Sequence, residues 1–99
     1  MEIHNGQITF GPLSGTGPRT SSTTVTFTRI PTQATAIMKG FSASFSGGND
    51  HHLGNLDIRL SSSISGNIVT VNATFGLRDW SGNWDDNYEG MVFFSVIGE

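Results

Sequence analysis

An all-β fold, a six-stranded antiparallel β-sandwich, is what this sequence predicts. Three observations lead there. Apolar residues recur at every second position in one segment after another, and no segment carries the 3.6-residue period of a helix. Clusters of Gly, Pro, Ser and Asn separate these segments at short intervals. With 99 residues and 35% hydrophobic residues, the chain makes one domain (residues 1–99) with one modest core between two layers.

The strands follow in order. Ile8 and Phe10 share a face of a short strand after Asn5-Gly6. Gly11 to Ser22 holds Gly11-Pro12 and Gly17-Pro18 and reads as a long loop. Thr23, Val25 and Phe27 alternate with Thr24, Thr26 and Thr28, and β-branched side chains suit a pleated surface. Ile30-Pro31-Thr32 breaks this strand from the next, where Phe41, Ala43 and Phe45 alternate with Ser42 and Ser44. Residues 46–50 (Ser-Gly-Gly-Asn-Asp) read as a turn. Leu56, Ile58 and Leu60 alternate with Asp57 and Arg59. Ser65-Gly66-Asn67 is a tight hairpin signal. Val69, Val71, Ala73, Phe75 and Leu77 then give five inward positions in strict period two. Asp79 to Asn87 links this strand to the last, in which Val92, Phe94 and Val96 face one way and Phe93 and Ile97 the other. A strand apolar on both faces is covered on both faces. Met91, Phe93 and Ile97 are therefore expected to meet a second protein surface, which points to a homo-oligomer; the alternative is a loop folded over that face.

Composition narrows the function. Charged residues are 13% of the chain, about half the usual share, and the net charge is −3 with Lys39 as the single lysine. A chain without a cationic surface does not displace the counterions of nucleic acid, and it is not drawn to an anionic membrane surface. No apolar run is long enough for a spanning helix, so membrane insertion is not expected. Without cysteine there is neither a disulfide framework nor a thiolate ligand or nucleophile. A neutral, hydroxyl-rich surface suits a neutral polar ligand or a packed assembly.

One segment stands out. Residues 79–89 hold four of the eight acids (Asp79, Asp85, Asp86, Glu89) and three of the ten aromatics (Trp80, Trp84, Tyr88). An indole face stacks on the C–H face of a sugar ring while Asp and Asn bond its hydroxyls, the pairing of apolar platform and oriented polar groups that a small polar ligand needs. The competing reading is a turn in which Asp79, Asn83 and Asp85 cap backbone N–H groups while the tryptophans close the end of the sandwich. The same oxygens would suit calcium, although their spacing is not that of an EF-hand loop and no cofactor is required by this reading. Asn49-Asp50-His51-His52 offers transition-metal donors, but neighbouring residues of a strand point to opposite faces, and a solvated turn is the simpler account. Catalysis has little support. No Gly-x-Ser-x-Gly turn is present, and Asp85 and Asp86 are adjacent where glycosidase carboxylates flank a cleft.

The order of these signals resembles a known family. Ile3-His4-Asn5-Gly6-Gln7-Ile8 is an early strand with a central glycine. Val25-Thr26-Phe27 leads through Pro31 to an apolar strand, Asn55-Leu56 opens a strand ending near Leu60, and a Gly hairpin follows. The chain ends Tyr88-x-x-Met91-Val92-Phe93-Phe94-Ser95-Val96-Ile97. Over nearly its whole length this is similar to the H-type lectin domain of snail and slime-mould agglutinins. The resemblance implies a six-stranded sandwich, trimers that sometimes stack as hexamers, and binding of N-acetylgalactosamine or galactose-like sugars at subunit boundaries. The family's sugar site uses a Gly and an Asp after strand one, an Arg in the strand opened by Asn-Leu, and an aromatic-His pair before the last strand. Here those places hold Gly17 with Pro18 and Arg19, Asp57 with Arg59, and Trp80 and Trp84 without a histidine; Phe94 stands where the family has a Trp. The site residues so implied are Asp57, Arg59, Trp80, Trp84 and Asp85. Trp84 would be the stacking platform and Asp57 and Asp85 the hydroxyl acceptors. Arg59 would be a donor, or the ion-pair partner of Asp57.

The expectation is a carbohydrate-binding, lectin-like module made multivalent by oligomerisation, and not an enzyme. The alternative is a structural or assembly protein, such as a capsid, fibre or tail component, that uses the same sandwich without binding sugar.

Overall fold

The structure is a computed structural model, and it describes residues 1–13, 17–46, 52–84 and 86–99. Six strands follow one another without a helix among the described residues: β1 (Glu2–Leu13), β2 (Arg19–Thr26), β3 (Ala34–Phe45), β4 (Leu53–Ser65), β5 (Ile68–Asp79) and β6 (Tyr88–Gly98). They form two three-stranded antiparallel sheets, ordered β1-β6-β3 and β2-β5-β4. The two central strands supply most of the core. Val69, Val71, Ala73, Phe75 and Leu77 of β5 face Tyr88, Val92, Phe94 and Val96 of β6, with Ile8, Phe10 and Phe27 closing around them. Each fully buried apolar side chain contributes about 1.5–3 kcal/mol relative to exposure, so these two strands hold the sheets together.

Several strands run further than their apolar alternation. β1 reaches Leu13 and β2 begins at Arg19, so the connection read over Gly11 to Ser22 is much shorter. β3 starts at Ala34, pairing with Gly98 at the far end of β6. A bulge between Met38 and Gly40 interrupts this edge strand, and Phe41, on the core side by register, is 47% exposed there. An edge bulge carrying Lys39 blunts pairing with another chain. The β4–β5 hairpin turns at Gly66 (φ +60°), a left-handed conformation that an L side chain adopts only at a cost. The crossing from β5 to β6 changes sheets, which places the segment after Asp79 across one end of the sandwich.

At the opposite end Glu2 fastens the start of β1. Its carboxylate accepts from the Thr28 hydroxyl, the Thr28 and Arg29 N–H groups and the His4 ring, while that ring packs 4.7 Å from Phe27.

Candidate functional site

The turn-rich end carries the residues singled out from sequence, and the register decides which of them meet. Asp57 of β4 lies opposite Gly76 of β5 on the outer face of the β2-β5-β4 sheet. Gly76 has no side chain, and its place is taken by Trp84: a Cβ at Gly76 would stand 2.8 Å from Cη2 of the indole and 2.8 Å from Pro18. The same ring lies so close on Gly17 that a Cβ there would overlap it. Two glycines from different segments thus form the seat of one tryptophan. Trp84 is half-buried, 6.0 Å from the Tyr88 ring, with the Arg78 guanidinium 5.3 Å from its centroid. Directly opposed cross-strand positions are about 5 Å apart, so the edge of Trp84 and the carboxylate of Asp57 border the same small surface.

Arg59, two residues on and on the same face, holds Asp57 through two parallel bonds, Nε to Oδ1 at 2.9 Å and Nη2 to Oδ2 at 3.0 Å. The carboxylate, which also attracts the charge, raises the Arg59 pKa above its ordinary value. Among the described residues the pairing leaves Nη1 of Arg59 to donate and one lone pair on each Asp57 oxygen to accept. Donor and acceptor side by side, next to an aromatic edge, can bond adjacent hydroxyls of a polyol. Toward the middle of the sheet this outer face is lined by Thr20, Ser22, Thr74, Asn72 and Ser61, all small and uncharged, while Arg78 and Ile68 stand on it toward its two ends.

Trp80 is placed differently. It is 74% exposed, in the turn after β5, where its N–H donates to the His52 carbonyl at 3.0 Å. His52 precedes β4 and stands five positions before Asp57, about 16 Å along a strand. That exceeds one sugar ring, so Trp80 and the Trp84–Asp57–Arg59 group are separate places on the surface. Of the caps that the competing reading expects from Asp79, Asn83 and Asp85, the turn shows that of Asp79, whose Oδ1 accepts from both the N–H and the hydroxyl of Ser81. Asp85 lies outside the described residues, as do Asn49, Asp50 and His51. Among the described residues no three His, Cys, Asp or Glu side chains gather to hold a metal ion.

Sequence reasoning missed two features. Arg19, expected in a loop, opens β2 with its guanidinium reaching into the end of the sandwich. It donates to the carbonyls of Gly11 (2.8 Å) and Tyr88 (2.7 Å) and lies 4.4 Å over the Tyr88 ring. On the other sheet's outer face a groove of about 390 Å³ collects Thr9, Ser42, Ser44 and Glu89 around Met91. Only the β1-β6-β3 register brings these together, and no local motif announces either. Comparison with known protein families, curated proteins and solved structures finds no match for this chain.

Proposed function

We propose that the protein is a carbohydrate-binding, lectin-like module that acts as an oligomer, and that it binds rather than transforms its ligand. The observation that carries this reading is the Trp84–Asp57–Arg59 group. It sets a seated indole beside a bidentate carboxylate–guanidinium pair, on a face whose middle is made of hydroxyls and amides. A sugar offers the matching surfaces, C–H groups for the ring edge and vicinal hydroxyls for the ion pair. Galactose or N-acetylgalactosamine is the ligand that the resemblance to H-type lectins implies. The group is shallow, so affinity per site is weak and useful binding depends on several sites engaging at once.

The test is a glycan array with labelled protein, with and without a calcium chelator. Selective binding that is lost in Asp57→Ala and kept in Trp80→Ala supports this site. Loss in Trp80→Ala alone moves it to the exposed turn, and loss on chelation brings in the acidic turn as a metal site. A second reading, a structural or assembly component, is favoured by one observation, the stripe of Met91, Phe93 and Ile97 with Ile3 and Ile37 on the outer face of β1-β6-β3. A folded, oligomeric protein that binds no glycan would make it the better account.

A further inference from the structure

We propose that Asn72 is an acceptor for N-linked glycosylation, and that the sugar chain it carries stands over the middle of the outer face of the β2-β5-β4 sheet. Of the seven asparagines, only Asn72 is followed two residues later by Ser or Thr, in Asn72-Ala73-Thr74. A sequon alone is a weak signal; its setting is what argues for use. Asn72 sits near the middle of β5, on the outward-facing side, and is exposed although β5 is the central strand of its sheet. Its direct cross-strand neighbours are Ser22 and Ser61, both exposed and among the smallest side chains available. The flanking positions on the same face, Thr70 and Thr74, oppose Thr24, Ser63, Thr20 and Arg59. Apart from Arg59, whose guanidinium is drawn to Asp57, only small side chains border the carboxamide, which makes no hydrogen bond among the described residues.

Thr74, two residues on, shares the outward face with Asn72, so neither sequon side chain is needed by the core. Ala73 between them points inward and is buried. The folded sheet can thus accept a large polar substituent at Asn72 without giving up a contact. In the transfer, the Asn72 amide nitrogen bonds to C1 of an oligosaccharide carried on a polyprenyl diphosphate. The C1–O bond breaks, the diphosphate leaves with the electron pair, and the amide loses one proton. A glycan there is attached four residues of β5, about 13 Å, from Gly76, with Arg59 as the diagonal neighbour of Asn72, and so it borders the Trp84–Asp57–Arg59 group on the same face. It also bars this face from packing on another protein, which leaves the β1-β6-β3 face for association.

The experiment is expression of the chain behind a secretory leader in a eukaryotic host, with intact mass read on folded protein from both medium and membranes. The expected result is a mass increase of one N-glycan, removed by peptide N-glycosidase, absent in Asn72→Gln and retained in Thr74→Ser. The glycosylated and enzymatically stripped proteins should melt at the same temperature and show the same oligomeric state. Folded protein at bare polypeptide mass with the sequon intact would overturn the proposal. So would a glycosylated chain that melts well below the unglycosylated one, because the face would then not have room for the sugar.

Discussion

At the scale of single residues, the clearest electrostatic consequence belongs to Glu2. Its bonds from the Thr28 hydroxyl, and then from His4 and the Thr28 and Arg29 N–H groups, favour the ionised form and push its pKa from 4.5 down to about 2. A carboxyl whose pKa is lower folded than unfolded stabilises the fold above its unfolded value. That contribution is lost as pH falls through the folded value. Here it is complete above about pH 5 and disappears between pH 4.5 and 2. Glu2→Gln should lower the melting temperature at pH 7 and flatten its decline across that acid window, as followed by circular dichroism at a series of pH values. An unchanged acid limb in the variant would remove Glu2 from the account. Trp84 gives a packing test at the same scale. Gly76→Ala places a methyl 2.8 Å from the indole, and such overpacking costs about 1–3 kcal/mol. In a Trp80→Phe background, where Trp84 is the sole indole, the variant should show a red-shifted emission as the ring is lifted from its seat.

At the scale of elements, β5 was legible throughout because five inward apolar residues in period two leave no other assignment. The ends of β1, β3 and β4 were not. Thr35 and Ser61 to Ser63 carry no apolar alternation, yet each lies in a ladder because a long central strand offers backbone partners whatever the side chains are. The hairpin was legible from its glycine, and its cost can be measured: Gly66→Ala forces a Cβ into the left-handed region and should cost about 1–2 kcal/mol. That loss should appear as a lower urea midpoint with an unchanged slope. The site was half legible. Composition marked residues 79–89, and Asp57 and Arg59 came in only through the resemblance to H-type lectins, but nothing local shows that Gly17 and Gly76 sit under Trp84. Those glycines come together only once Pro18 and Arg19 fall in beside Gly76 and Phe75. The tryptophan expected to stand free is therefore held, and Trp80 is the one left exposed.

At the scale of the whole molecule, the question is what covers the outer face of β1-β6-β3. Met91, Phe93 and Ile97 of β6 lie along it, with Ile3 of β1 beside Ile97 and Ile37 of β3 beside Ser95. Ile3 and Ile37 remain 55% and 45% exposed. The main contacts of β6 run sideways to β1 and β3 and inward to β5, so within the described chain this face is open. Three strands of about ten residues make a surface of roughly 33 by 15 Å, or ~500 Å² before side-chain relief. A stable pairwise interface takes ~800 Å² from each partner. One such face meeting another thus gives a weak dimer, whereas in a closed ring each copy holds two neighbours through two patches, so that no copy leaves without breaking both contacts. Sedimentation should accordingly show association that deepens with protein concentration and closes at a single species. Phe93→Glu, and separately Ile97→Glu, should yield folded monomer, since each buries an unpaired charge in the contact while leaving the inward face of β6 untouched. The Trp84–Asp57–Arg59 group lies on the other sheet, so these monomers should keep the affinity of the parent for a free monosaccharide. On a glycan-coated surface they should bind many-fold more weakly, by the avidity they have lost. Monomers that hold equally well to that surface would separate sugar binding from assembly, and parent-like oligomers in both variants would place the contact on another face.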